Sequence, residues 1–341
     1  MGATKIADVI QPELFAQYVI DKTTEKSELM YAGAVENNPE LNRLITGGGT
    51  VLTMPKWNDL TGKSQVLSDQ RAITVNNITS KAELVTSLIR ANSWGAHELA
   101  GCLAGDDPMK AIASRVADWW VRDEKSNIMA ILNGIFNITS DSSHNDLSDL
   151  VKDISALTGD ASKISANAVL DAKQRLGDAS DLLTMIYMHS ATFTELQKQN
   201  VIQFIPVAES KIAIPTYLGY RVICDDSAPV ETVGGTTKYT TYLLSRGCIQ
   251  RGQGTPVDLT QVETDRDSLG STDILINRQA KVLHPKGISW VGAGQIVDAT
   301  PSDDELANKS YTEGGETVTR NNWSRVADIK KIGIVKLVHT I

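Results

Sequence analysis

Gly105-Asp106-Asp107-Pro108-Met109-Lys110-Ala111-Ile112-Ala113-Ser114-Arg115-Val116-Ala117-Asp118-Trp119-Trp120 is the stretch on which the fold turns. Two acidic residues ahead of a proline form a helix start, because Pro at the first helical position gives up only an N–H that has no partner there. From that start Ile112, Val116, Trp119, Trp120, Ile128, Ile131, Leu132 and Ile135 recur at helical spacing. The spacing predicts one amphipathic helix of about 40 Å running to Gly134 or Phe136, with a break at the charged Arg122-Asp123-Glu124-Lys125. Such a helix spans a domain. Trp119-Trp120 reads as part of its core stripe rather than as an interaction face.

Working outward, the residues before the helix look poor in core. The opening forty-odd residues read as an arm, with a short helix over Pro12–Ile20 and a polar stretch at Thr23–Ser27. Gly47-Gly48-Gly49 then punctuates the chain. Val51–Trp57 is extended, residues near Asp59–Ser64 favour turns, and the chain returns as Ile73–Val75 and Val85–Ala91. This predicts a long hairpin, which needs another surface because an isolated hairpin is marginal in water.

After the helix the texture alternates. Helices are expected over Asp146–Leu157, Ser165–Leu176 and Ala191–Gln199, with strands at Leu182–Met188, Ile212–Pro215, Tyr220–Ile223, Tyr239–Leu244 and Cys248-Ile249. A strand over Ile274–Leu283, a polar insert from Asp298 to Glu316 and a closing strand over Ile332–Val338 complete the α+β pattern.

Composition narrows the function. The 341 residues carry 33 Lys and Arg against 41 Asp and Glu, a net charge of −8, and 5% aromatics. Nucleic-acid affinity comes chiefly from basic residues and stacking aromatics, so a dedicated DNA or RNA binder is disfavoured. No apolar run reaches the roughly 20 residues of a membrane helix, and the first residues do not form a secretory signal. Cys102, Cys224 and Cys248 are odd in number and widely spaced, which predicts reduced thiols acting as small apolar side chains. His97, His144, His189, His284 and His339 are scattered without metal-ligand spacing.

Catalytic signals are thin. Gly62-Lys63-Ser64 is a phosphate-loop fragment with Trp57 where the motif needs glycine, so it reads as a surface loop. Asp141–Asp146 lacks the sixth-position glycine and late glutamate of a calcium loop. Asp225-Asp226 offers a carboxylate pair with no third ligand, and reads as a surface turn. The sequons at Asn137 and Asn322 carry no weight without secretion. No catalytic, cofactor-binding or metal-binding residue is assigned.

The order arm, hairpin, long helix, α/β unit and return strand resembles the HK97-fold major capsid proteins of tailed bacteriophages. Gly105–Ala113 continuing to Trp120 resembles their spine helix, and Trp94 with Glu98-Leu99-Ala100 the approach to it. Leu218–Ser227 resembles a stretch of their axial domain. Asn322–Val326 with Ile332–Val335 resembles the C-terminal end in one branch.

The resemblance implies an N-terminal arm at 1–48, an extended loop at 49–90, a peripheral domain at 91–138 and 263–295, an axial domain at 139–262, and a C-terminal insert and closing strand at 296–341. It further implies self-assembly through hexamers and pentamers into an icosahedral shell around double-stranded DNA, within the virion and, during assembly, the host cytoplasm. The DNA would be confined without sequence-specific binding. A separate scaffolding protein, a portal and a decoration protein are the implied partners. Lys56 and Lys63 lie in the loop that carries an isopeptide cross-link in one member, but no partner asparagine or helper glutamate is assigned, so a non-covalent shell is expected. Two alternatives stand beside this reading: an encapsulin-like compartment, and a cytosolic hydrolase using Asp225 or Asp226.

Overall fold

The computed structural model describes residues 32–57, 60, 62–67, 69, 72–78, 80–104, 108–206, 213–294, 296–313 and 316–341. The expected helix over Pro12–Ile20 and the acidic cap at 105–107 lie outside these residues.

Strand β1 (Val35–Asn37) and helix α1 (Pro39–Thr46) lead into the hairpin strands β2 (Val51–Trp57) and β3 (Ser80–Thr86). Strand β4 (Leu88–His97), the short α2 (Glu98–Ala104) and the long α3 (Pro108–Phe136) follow. Then come β5 (Val151–Asp153), α4 (Ala166–Lys173), β6 (Leu183–Met188), α5 (Ser190–Lys198), β7 (Gln203–Pro206), β8 (Ala213–Tyr217), β9 (Tyr220–Cys224), β10 (Val230–Val233) and β11 (Thr236–Ser245). The chain continues through β12 (Ile249–Gly254), β13 (Val262–Asp267), β14 (Thr272–Pro285) and β15 (Ile288–Trp290). It closes with α6 (Asp303–Leu306), β16 (Tyr311–Glu313), β17 (Glu316–Val318), β18 (Trp323–Arg325) and β19 (Ile334–His339).

Two sheets organise these elements. In the five-stranded sheet β14 pairs antiparallel with β12, β13 and β4, while β1 joins β12 in parallel. The eight-stranded sheet runs β5-β19-β11-β6-β9-β8-β7, with β10 paired to β11. Leu218 and Gly219 both hold positive φ, 51° and 84°, which is the backbone a tight two-residue turn between β8 and β9 requires.

Several expectations change. Residues 32–48 are not a loose arm. Asn38 accepts the Glu40 N–H as N-cap, and Leu41 and Ile45, one turn apart, bury against the five-stranded sheet. Gly252 permits that contact, since a Cβ there would stand 2.6 Å from the Leu41 Cβ. The hairpin returns at Ser80–Thr86 rather than at Ile73–Val75, because Ile73 and Val75 are exposed and have no sheet to bury them. Val85–Ala91 is divided at Ser87 between two strands.

The expected helix over Asp146–Leu157 is a 3-10 turn at Ser148–Leu150 followed by β5, whose residues pair with β19. The helix from Ser165 ends at Lys173 and gives way to 3-10 geometry over Gln174–Leu182. Ile249 pairs in the five-stranded sheet instead of extending the one that holds β11.

Helix α3 is continuous through Arg122–Lys125, with 29 residues or about 43 Å. Trp120 is fully buried over β14 and donates its indole N–H to Asn277 Oδ1 at 2.6 Å. At the other end Gly134 lies so close to the insert that a Cβ would stand 1.9 Å from the Leu306 carbonyl oxygen. The Trp323 indole donates to that same oxygen at 2.8 Å, and the Asn308 amide donates to the Gly134 carbonyl at 2.9 Å. The insert that reads as polar in sequence thus seats the end of the helix.

Candidate assembly interface

Two structural features bear on function: an ionic clamp that holds α3, and a hairpin whose apolar side chains have no cover. The clamp uses three consecutive residues. Asp123 Oδ2 lies 2.6 Å from Lys281 Nζ of β14, Glu124 faces Arg251 of β12, and Lys125 pairs with Asp225 after β9. Successive residues point about 100° apart around a helix, so the three grip it over more than half its circumference.

Glu124 and Arg251 meet side-on, Nη2 donating to Oε2 at 3.0 Å while Nε lies 3.0 Å from Oε1. Both are nearly fully buried, where a charge is tolerated only with its partner in place. Lys281 is 1% exposed, and its ammonium also lies 5.7 Å from the Trp120 ring centroid.

This resolves Asp225-Asp226. Burial alone would raise the Asp225 carboxyl, but Lys125 and the Ser227 N–H, 2.9 Å from Oδ1, hold it below the ordinary carboxylate range. Asp226 is exposed and is lowered chiefly by a hydrogen bond from Ser190. The two carboxylates serve different partners: Asp226 sits in an exposed turn as expected, whereas Asp225 is buried against Lys125 of the long helix.

The hairpin has a fixed root and an open tip. At the root Glu83 is buried between Lys56 of its own hairpin and His284 of β14, whose Nε2 lies 3.3 Å from Oε2. Burial would raise the Glu83 carboxyl, but hydrogen bonds and charge from His284 and Lys56 outweigh it and lower it to about 2. The Leu84 N–H donates to Ser289 Oγ at 3.1 Å, and Ser87 Oγ donates to the Gly49 carbonyl at 2.9 Å. Leu52 and Val85 bury with Ala280 and Val282.

Beyond the root the burial stops. Trp57 is 67% exposed, Val66 85% and Val75 83%, with Leu60, Leu67, Ile73 and Ile78 also exposed. The Gln65 side chain ties across the tip, accepting the Thr74 N–H at 2.8 Å and donating to the Thr74 carbonyl at 2.9 Å. Contiguous apolar side chains exposed on one element are a feature of interaction surfaces. A second apolar group, Leu99, Leu103 and Leu269, is exposed on α2 and the β13–β14 turn, where the Glu98 N–H donates to the Ser271 carbonyl.

The remaining sequence candidates disperse. Lys63 and Ser64 stand exposed in the hairpin. Asp141 Oδ1 accepts the Ser143 and His144 N–H groups and meets His144 Nδ1, so its loop caps itself. Among the described residues no group of three or more His, Cys, Asp or Glu is placed to hold a metal ion. No described helix is long and apolar enough to cross a membrane.

Cys248 is the buried apolar thiol expected, its pKa pushed up to about 12 by burial, but Cys102 and Cys224 are exposed. Trp120 is core as expected. Trp119 is only partly buried and stands edge-on to Trp94 at 5.5 Å. The clamp was missed because its charges read as a helix break; a run of charges inside an unbroken apolar period was the available signal.

Comparison with known proteins places this architecture. Residues 129–332 match the model of the Gp13-like family, described as major capsid protein 13-like. The chain is 44% identical to the major capsid protein of Bacillus phage SPP1, over 100% of this chain and 99% of that one. Its fold is similar to the capsid of Ralstonia phage GP4, with a TM-score of 0.57, 10% identity, and coverage of 93% of this chain and 90% of that one. The cyanophage Pam1 capsid matches with a TM-score of 0.54 and 10% identity over 90% and 88% of the two chains.

The α+β fold is therefore that of HK97-like phage capsids, and neither a catalytic role nor the encapsulin-like and hydrolase readings find support. The chain belongs to the Gp13-like family of phage major capsid proteins, structural proteins of the virion whose copies form the shell.

Proposed function

We propose that the chain closes into an icosahedral shell through hexamers and pentamers, and that the shell encloses phage double-stranded DNA. The hairpin at 49–90 lies across a neighbouring copy. The segments 91–138 and 263–295 act as the peripheral domain and 139–262 as the axial domain around the local symmetry axes, although β12 within the latter joins the five-stranded sheet; 1–48 is the arm, its part from residue 32 packed on that sheet, and 296–341 the insert and closing strand. A separate scaffolding protein, a portal and a decoration protein are its assembly partners.

One observation carries this reading: the hairpin is anchored at its root by a buried ionic contact yet leaves its apolar side chains in water. Burying one such side chain is worth about 1.5–3 kcal/mol. Covering several on a neighbour supplies a driving force for assembly that the isolated chain cannot realise. The net charge of −8 supports a container that repels its contents rather than adhering to them. Lys56 is engaged with Glu83 within its own hairpin, which supports a shell without covalent cross-links.

Light scattering and nucleic-acid analysis of purified particles test the proposal. Particles of tens of nanometres containing DNA are expected, dissociating to single chains on a denaturing gel. A small oligomer contradicts the shell, a protein cargo without DNA contradicts the contents, and a ladder of covalent oligomers contradicts the non-covalent reading.

A further inference from the structure

The closing end of the chain is held by a buried histidine that belongs to neither the clamp nor the hairpin root. His339, the last residue of β19, is fully buried. Its Nδ1 lies 3.0 Å from the Thr340 carbonyl, and its Nε2 lies 2.9 Å from Thr241 Oγ1 of β11. A carbonyl only accepts, so Nδ1 carries a proton, and the neutral ring takes the threonine hydroxyl at Nε2. Next to the ring, the tail is stitched to the segment 159–164. The Thr340 N–H donates to the Ser162 carbonyl at 2.8 Å, and the two hydroxyls meet at 2.7 Å. The Ile164 N–H donates to the Thr340 carbonyl at 3.3 Å. These contacts close one end of an open polar groove lined by Ser155, Asp160, Ser162, Lys163, Tyr239 and Thr340.

No counter-charge stands ready for an imidazolium here. Tyr239 of β11 stacks on the ring, centroids 6.2 Å apart, and His189, the N-cap of α5, meets Tyr239 edge-on. His189 in turn faces Asp226 at 3.8 Å. On β5 and α4, Lys152 pairs with Asp171, Lys173 with Asp181, and Asp153 accepts from Ser155. Asp160 pairs with Lys163, Glu231 stands opposite Lys238 in the β10–β11 ladder, and Asp149 is exposed. Lys336 alternates to the other face of β19. Among the described residues no carboxylate lies within 4.0 Å of the His339 ring. A charge placed there is buried and unpaired, which costs more than exposing a few residues at a strand end. We propose that the end of β19 is an acid-released latch: when His339 takes a proton, residues 339–341 part from the segment 159–164 while the body of the eight-stranded sheet stays folded. Burial lowers the pKa of the ring from 6.5 to about 4, and release restores the ordinary value. Opening therefore becomes about 70-fold more frequent at pH 4.5 than at pH 7.5.

Amide hydrogen exchange of the full chain between pH 7.5 and 4.5, corrected for the intrinsic rate at each pH, tests this. The amides of Thr340 and Ile164 are expected to be about tenfold or more less protected than those of Ile186 and Leu243 inside the sheet, at every pH. Their protection should fall by about 70-fold across the range, along the curve of a single proton between pH 6.5 and 4. His339→Gln should abolish that fall, as should His339→Phe, which keeps a ring but cannot titrate; His189→Gln should leave it intact. Equal protection in tail and sheet would mean that only global unfolding frees the ring, and overturns the proposal. So does a fall that persists without His339, or a transition in the unaltered chain that takes more than one proton.

Discussion

The middle of α3 and the tip of the hairpin are both rich in side chains that look misplaced, and they are misplaced in opposite ways. The helix carries charges into the body, and each finds its counter-charge inside the same chain: Asp123 with Lys281, Glu124 with Arg251, Lys125 with Asp225. The hairpin exposes apolar groups, and Trp57, Val66 and Val75 find no cover among the described residues. A buried charge left unpaired is costly, and the Glu124–Arg251 pair is complete within the single chain. Exposed apolar surface is tolerable in a monomer and gains its stabilisation on association. One region is complete within the subunit; the other is the region proposed to be completed by a neighbour.

The sharpest way to break this division is to shorten the hairpin. Replacing residues 60–78 by a short turn between Trp57 and Ser80 should abolish particle formation. The unfolding midpoint should stay within about 2 °C of the parent, since the removed side chains make little burial within the chain. Light scattering and thermal unfolding read the two effects. Particles from the shortened chain would refute the hairpin's role, and a collapsed midpoint would refute its independence from the body.

The converse comes next in size. Glu124→Ala leaves Arg251 buried without its carboxylate and should cost about 3–5 kcal/mol in denaturant unfolding, whereas Glu124→Met with Arg251→Met should cost distinctly less. Equal losses in the two variants would mean that packing, and not the unpaired charge, dominates there.

A smaller effect follows from His339. Burial lowers its pKa from 6.5 to about 4, with Nε2 2.9 Å from Thr241 Oγ1 and Nδ1 3.0 Å from the Thr340 carbonyl. The unfolded chain takes up this proton before the folded one does. Stability attributable to the neutral ring is therefore complete above about pH 6.5 and is lost as pH falls towards 4. His339→Gln should flatten the unfolding midpoint across that window. Glu83 acts lower: its stabilisation is complete above its ordinary value of 4.5 and is lost as pH falls towards 2, so the hairpin root should outlast the His339 loss on acidification.

Particular residues show why some of this was legible in sequence and some was not. Helix α3 could be read because its period and its proline are local signals. The ionic partners could not, because Arg251 and Lys281 lie more than a hundred residues away and only the tertiary fold brings them to Glu124 and Asp123. Ile73–Val75 mimics a buried strand because it is apolar yet exposed among the described residues, whereas the true return strand begins with the polar Ser80-Lys81. The insert after Asp298 looked like loop, yet Ser302 and Glu305 form a reciprocal cap that fixes α6 under Gly134. The aspartates at 225 and 226 were visible as a pair; that one of them anchors Lys125 required the fold.

The most direct test of the central claim is amide hydrogen exchange on the same chain, free and in particles. The account predicts that protection over residues 51–86 rises at least a hundredfold on assembly, while residues 128–135 of α3, already buried, change little. Unchanged exchange in the hairpin, or a gain in protection confined to the α3 core, would contradict it.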